Sequence, residues 1–276
     1  MTTSIPLLIE PAELEALLAS RNDLLIIDLS SAENYAQHHI PGAVHLPFKL
    51  LQAGTPPAPG KLPDKAALEA VFSHIGLTPD KHVIAYDDEG GGWAGRLLWT
   101  LDVLDHPHYS YLNGGLIAWV NEGHPVSAES ATATTSSYHA TFDPSAIADL
   151  EDVLSNYQKT DTVIWDARSA AEYDGSKVVA KHGGHIPGAI NLDWLELMDR
   201  SRNLRFKPLN ELQNRLNSLG ITANKTVITH CHSHHRSGLS YLLMKLLGYP
   251  HIKAYHGSWG EWGNRDDTPV KTGAEP

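Results

Sequence analysis

Short apolar runs recur along the chain, each ending in a polar or acidic residue. Leu24-Leu-Ile-Ile27 runs into Asp28, and Val163-Ile-Trp165 runs into Asp166. Val83-Ile-Ala-Tyr86 and Thr226-Val-Ile-Thr229 are built alike. Such β-rich runs, without polar alternation, predict parallel strands covered on both faces. Apolar residues fall at helical spacing over 66–75 and 209–219, and Gly76 and Gly220 follow where a helix C-cap is expected. Strands alternating with helices predict an α/β fold, mostly parallel sheets flanked by helices. In such sheets ligands bind outside the carboxyl ends of the strands.

The pattern is written twice. Asp28-Leu-Ser-Ser-Ala-Glu-Asn-Tyr35 is matched by Asp166-Ala-Arg-Ser-Ala-Ala-Glu-Tyr173, and His39-Ile-Pro-Gly-Ala43 by His185-Ile-Pro-Gly-Ala189. Lys81-His-Val-Ile84 recurs as Lys225-Thr-Val-Ile228. Gly114 and Trp119 recur as Gly257 and Trp262, and Pro125-Val126 as Pro269-Val270. Matches in the same order at a nearly constant offset predict two homologous domains of ordinary size. Residues 1–126 form the first and 146–276 the second; the small, polar stretch across 127–145 reads as a linker.

A chain of 276 residues can bury two cores, and 42% hydrophobic with 19% charged residues is ordinary for a globular protein. The formal charge of −11 argues against a nucleic-acid partner, since such binders usually carry basic surface. No run approaches the roughly 20 apolar residues of a membrane helix. The stretch Met1–Glu10 lacks the basic-then-apolar pattern of a secretory signal. One cysteine cannot form an internal disulfide, so a cytoplasmic location is the expectation.

That cysteine is the candidate for chemistry. In Thr226-Val-Ile-Thr-His-Cys231-His-Ser-His-His-Arg236-Ser-Gly-Leu a strand runs into Cys231, and Leu239, Leu242, Leu243 and Leu246 then mark one face of a helix. The intervening loop can curl its N–H groups around one point, where the helix dipole adds positive potential. A thiol there is favoured as thiolate. Arg236 adds a permanent positive charge, and the clustered histidines His230, His232, His234 and His235 add donors. Reactive cysteines occupy electropositive, partly exposed loops, so Cys231 is expected to be one rather than a buried apolar filler. The first half is an internal control: Asp87-Asp-Glu-Gly-Gly-Gly aligns with the cysteine loop but has no thiol. It is expected to be a solvated acidic loop that repels anions, and not a metal site.

The doubled domain, the twin His-Ile-Pro-Gly-Ala segments and the Cys-His-Ser-His-His-Arg-Ser-Gly loop resemble the tandem-domain rhodaneses, bacterial thiosulfate sulfurtransferases, across residues 8–270. The resemblance implies two rhodanese-like domains, only the second active. It implies that Cys231 takes the outer sulfur of thiosulfate as a persulfide and passes it to cyanide or a thiol, by double displacement. The loop His232, Ser233, His234, His235, Arg236 and Ser237 would bind the persulfide, with Arg168 and His230 as possible supports. Arg168 itself reads as a structural ion-pair partner. No cofactor or metal is implied. Vertebrate members place a substrate-binding arginine where Glu172 stands, and mercaptopyruvate-using members carry a small Cys-Gly-Ser-Gly-type loop unlike this one.

Three other functions compete. Cysteine phosphatases place five residues between cysteine and arginine; here there are four. The tighter cradle suits a single sulfur better than a tetrahedral phosphate. A zinc or copper binder would need the loop histidines and Cys231 to converge tetrahedrally, which spacings of one to three residues rarely allow. A persulfide carrier, delivering sulfur to a protein or other thiol acceptor or loading from 3-mercaptopyruvate, shares the first half-reaction.

Overall fold

The structure is a computed structural model describing residues 4–276; only the first three residues of the Met1–Glu10 stretch lie outside it. It contains two compact units. The first holds the chain up to Leu51 together with Pro63–Asp143 and Asp199–Phe206. The second holds Gln52–Leu62, Pro144–Met198 and Lys207–Pro276. A short segment from early in the chain thus belongs to the unit that contains Cys231. Among the described residues no helix is long and apolar enough to cross a membrane.

Each unit is built on a five-stranded parallel sheet. In the first, β1 (Leu8–Ile9), β2 (Leu24–Asp28), β3 (Val44–His45), β4 (His82–Tyr86) and β5 (Tyr109–Leu112) lie in the order β1-β5-β4-β2-β3. In the second, β6 (Ile147–Ala148), β7 (Thr162–Asp166), β8 (Ile190–Asn191), β9 (Thr226–His230) and β10 (Ile252–Tyr255) lie in the order β6-β10-β9-β7-β8. All four apolar runs picked out above are interior strands of their sheets. Helices over Lys65–His74 and Leu209–Ser218 follow the predicted periodicity. Gly76 and Gly220 adopt φ of +81° and +76°, the left-handed conformation that ends a helix at least cost when no Cβ is present.

The repeated residues make the same device in both units. Tyr35 stacks on His39 and Tyr173 on His185, with ring centroids 3.9 and 3.7 Å apart. The tyrosine hydroxyls donate to the carbonyls of Ala43 and Ala189, at 2.8 and 2.6 Å. His39 pairs by antiparallel bridge with Ser127, and His185 with Lys271. The indoles of Trp119 and Trp262 donate to the Pro125 and Pro269 carbonyls. The recurrent motif therefore ties the segment that follows a helix, Gly115–Asn121 or Ser258–Trp262, back to the loop before β3 or β8, which is a packing role. In the second unit Trp259 and Trp262, fully buried with Ile164, Ile186 and Ile228, carry the core. Each such aromatic removes roughly 150–250 Å² from water.

Replacing Tyr173 by Phe leaves the buried Ala189 carbonyl without its donor. We expect a loss of about 1–2 kcal/mol in urea unfolding, with an unchanged slope.

Candidate active site

The loop that carries Cys231 leaves the carboxyl end of β9, the middle strand of its sheet, and enters helix Arg236–Leu246. Over Cys231–His235 the backbone folds back on the sulfur. The His235 N–H donates to Cys231 Sγ at 3.3 Å, and the Ser237 hydroxyl and N–H also reach the sulfur. The first N–H groups of a helix have no intrahelical acceptor, so here an anion supplies one. His234 Nδ1 lies 2.8 Å from Ser237 Oγ. A Ser237 hydroxyl that donates to sulfur must accept from this ring, so the proton sits on Nδ1.

The fold-back requires a left-handed residue, and His234 supplies it at φ +53°. A second strained residue, Ser258 at φ +54°, holds the turn from outside. Its Oγ donates to the Tyr255 carbonyl (2.8 Å) and accepts from the N–H groups of His234 (3.0 Å) and Cys231 (3.4 Å). Helix Ser258–Trp262 adds two backbone bonds, from Trp259 N–H to the Cys231 carbonyl (3.0 Å) and from Gly260 N–H to the His232 carbonyl (2.9 Å).

Cys231 is fully buried, where a partly exposed thiol was expected. The loop closes over the sulfur, and His232, Ser233, His235 and Arg236 form its part-exposed rim. The surroundings are polar nonetheless. Burial pushes the thiol up, but the Arg236 guanidinium, Ser237 and His235 outweigh it and bring it down to about 7.

The positive charge beside the sulfur is itself held. Glu172 grips Arg236 with two bonds, from Nη1 to Oε2 at 2.7 Å and Nη2 to Oε1 at 2.9 Å. Burial alone would push Glu172 up; its bonds to Arg236 instead hold it down at about 2. The pair orients the guanidinium at the cost of part of its field. Arg168, His230 and the His235 ring meet other partners. Arg168 binds Asp166 through Nε (2.9 Å) and Nη2 (2.6 Å), donates to the Gly184 carbonyl, and lies over the Trp259 ring at 4.3 Å. His230 is buried against Asp166, with Nε2 3.7 Å from Oδ2, and burial lowers it below the usual histidine range. The His235 ring faces Trp194. These histidines diverge, and among the described residues no three His, Cys, Asp or Glu side chains stand in a metal-holding group.

The first unit contains the same nest, already filled. Asp87 is fully buried, so the solvated loop expected there is not what forms. Its carboxylate accepts from the N–H groups of Glu89, Gly90, Gly91 and Ala94 at 3.2, 3.1, 2.8 and 3.0 Å. Burial and nearby Glu89 push it up to about 6 against these donors. The acidic loop excludes an outside anion by supplying its own.

Ser258 and the pairing of Glu172 with Arg236 were missed from the sequence. The repeat held a signal for the first. Extending the Gly114–Gly257 match by one residue sets Gly115 against Ser258, and Gly115 has φ +56°. The Leu116 N–H to Asp87 carbonyl bond (2.9 Å) mirrors the one from Trp259 to Cys231. A glycine shows its need for positive φ; a serine hides it.

The family model described as "Rhodanese-like domain" matches residues 10–122 and 149–265. Two five-stranded parallel sheets of one topology, with a cysteine loop on one and its carboxylate copy on the other, define a tandem α/β protein of this type. The chain belongs to the rhodanese-like domain family. It is 49% identical over 268 residues to thiosulfate sulfurtransferase of Azotobacter vinelandii, covering 97% of this chain and 98% of that one. It is 32% identical over 247 residues to 3-mercaptopyruvate sulfurtransferase of Escherichia coli, covering 88% and 87%. A solved structure, the anaerobic ergothioneine biosynthesis enzyme of Chlorobium limicola, superposes with a TM-score of 0.88 at 20% identity, over 97% of this chain and 70% of that one. At that identity the likeness speaks for the fold.

Glu172→Gln should free the Arg236 charge and move the pH midpoint of Cys231 alkylation down, by about half a unit or more. The same change bears on acid stability. Glu172 is ordinarily at 4.5 and is held near 2, so its contribution is complete above about pH 4.5 and is lost as pH falls towards 2. The variant should therefore show a flatter dependence of unfolding on pH across that window.

Proposed function

We propose that the chain is a thiosulfate sulfurtransferase, with residues 146–276 carrying the chemistry and residues 1–126 in support. The observation that carries this reading is the single cysteine whose sulfur accepts N–H and hydroxyl donors at a helix start, beside Arg236. The likeness to the Azotobacter vinelandii enzyme across nearly the whole chain favours thiosulfate over 3-mercaptopyruvate as donor.

In the first half-reaction the Cys231 thiolate attacks the outer sulfur of thiosulfate. A new S–S bond forms, the old one breaks, and sulfite leaves with its electron pair. The product is a persulfide whose terminal sulfur bears the negative charge. The preorganised N–H groups of the loop, with Ser237 and Arg236, stabilise that charge as it develops. His234 keeps the Ser237 hydroxyl turned towards the sulfur. In the second half-reaction cyanide, or a thiolate, attacks the terminal sulfur. Thiocyanate (or the acceptor's persulfide) departs and the Cys231 thiolate returns, giving ping-pong kinetics. Arg168 and His230 act from behind, fixing Asp166 and the end of β9.

The four-residue spacing from Cys231 to Arg236 counts against a phosphatase. Phosphate-ester turnover that depends on Cys231, in a protein inert to thiosulfate, would reverse this choice.

Cys231→Ser should retain less than about 1% of thiosulfate:cyanide activity with an unchanged unfolding midpoint, since the thiol is needed chemically. Thiosulfate should add the mass of one sulfur to the wild-type chain and none to the variant, and cyanide should remove it. The rate of sulfur uptake should rise with pH through about 7 as the thiol ionises. Uptake by Cys231→Ser, or a rate flat across that range, would contradict the mechanism.

A further inference from the structure

The unit that carries Cys231 includes a segment far from it in sequence, Gln52–Leu62. This segment is rich in proline (Pro56, Pro57, Pro59) and closes on itself through backbone bonds from Gly54 N–H to the Pro59 carbonyl (3.0 Å) and Lys61 N–H to the Ala58 carbonyl (3.1 Å). Proline restricts the backbone, so such a turn is stiff. Two anchors fix its exit. Leu62 N–H donates to His256 Nδ1 at 3.0 Å, and Lys61 Nζ meets Glu261 Oε1 at 2.5 Å. The anchors lie on either side of Ser258, the residue that pins the sulfur loop.

At Gly60 the segment touches the loop itself. A Cβ added there would lie 2.2 Å from the Ser233 carbonyl oxygen and 2.7 Å from its Cα. No side chain fits, and the obstacle is backbone. Gly260 marks the same junction from another side. A Cβ there would meet the His232 carbonyl oxygen at 3.0 Å and the Pro57 carbonyl oxygen at 3.2 Å. Three backbones converge on His232 and Ser233, and two glycines permit it.

We propose that Gln52–Leu62 is a strap that sets the position of the sulfur-binding loop, with Gly60 as a positioning residue for the reaction. The second half of the chain by itself therefore lacks part of its own active unit. This rests on the reading that Cys231 is the sulfur-carrying group. The strap acts on the backbone of the loop. It presses on Ser233, two residues beyond Cys231, and limits how far the N–H groups of His234 and His235 can swing. Sites of this kind tolerate only about 0.5 Å of error before their donors lose aim.

The test uses the full chain with Gly60→Ala. The added methyl must displace the loop, so the alkylation midpoint of Cys231 should rise by about one pH unit. Thiosulfate:cyanide turnover should fall by about ten- to hundredfold. Leu212→Ala, in the buried face of helix Leu209–Ser218, is the control: it should lower the unfolding temperature and leave the alkylation midpoint alone. If Gly60→Ala does not fold, the double variant Lys61→Met with His256→Leu removes both anchors and adds no bulk at the loop. It should shift the midpoint in the same direction and speed amide exchange at His234 and His235. A wild-type midpoint in folded Gly60→Ala, or in the double variant should the first not fold, would overturn the strap. Alkylation needs no sulfur donor, so a failure of thiosulfate to load the wild-type thiol would strike the functional reading alone.

Discussion

Everything at this site depends on negative charge held on a buried sulfur. Burial by itself favours the neutral thiol, because a charge removed from water loses its hydration. What reverses the balance is the Arg236 charge first, together with fixed dipoles aimed at the sulfur: the Ser237 hydroxyl and N–H, the His235 N–H and the start of a helix. These donors would otherwise be unsatisfied, so the loop and the anion complete each other. The same economy explains Asp87, whose carboxylate closes the equivalent nest with four N–H bonds. One backbone design serves twice, closed by a carboxylate in the first unit and by a thiol in the second.

Holding that geometry requires conformations that an isolated loop would not choose. His234 and Ser258 both sit at positive φ, which costs a residue with a Cβ of order 1 kcal/mol or more. The strain persists because neighbours over-determine it: Ser258 accepts two N–H groups and donates to Tyr255, while Trp259 and Gly260 bond the loop carbonyls. Behind them the Arg168–Asp166 pair, with Arg168 stacked on Trp259, ties β7 to the same helix. The cysteine loop therefore sits on rigid elements, and His232, Ser233, His235 and Arg236 form its part-exposed rim.

Much of this was legible beforehand, for identifiable reasons. The central strands announce themselves because burial on both faces leaves short apolar runs within Leu24–Asp28, His82–Tyr86, Thr162–Asp166 and Thr226–His230. The edge strands Leu8–Ile9, Val44–His45, Ile147–Ala148 and Ile190–Asn191 have two residues each and leave no pattern. The loop was legible because Cys231 and Arg236 are close in sequence. Glu172 was recognised as a departure, but its grip on Arg236 crosses 64 residues and is fixed only by the packing of two helices. The expected exposure of Cys231 failed because sequence reports the polarity of neighbours and not how the loop closes over them.

The most direct test is the ionisation of the thiol itself. Cys231 is the only cysteine, so the ultraviolet absorbance of its thiolate can be titrated in the wild-type protein against Cys231→Ala as a blank. A midpoint near 7 is the result expected of a sulfur held by these donors. A midpoint at or above the ordinary value of about 8.5 would mean that burial wins and the nest does not hold the anion.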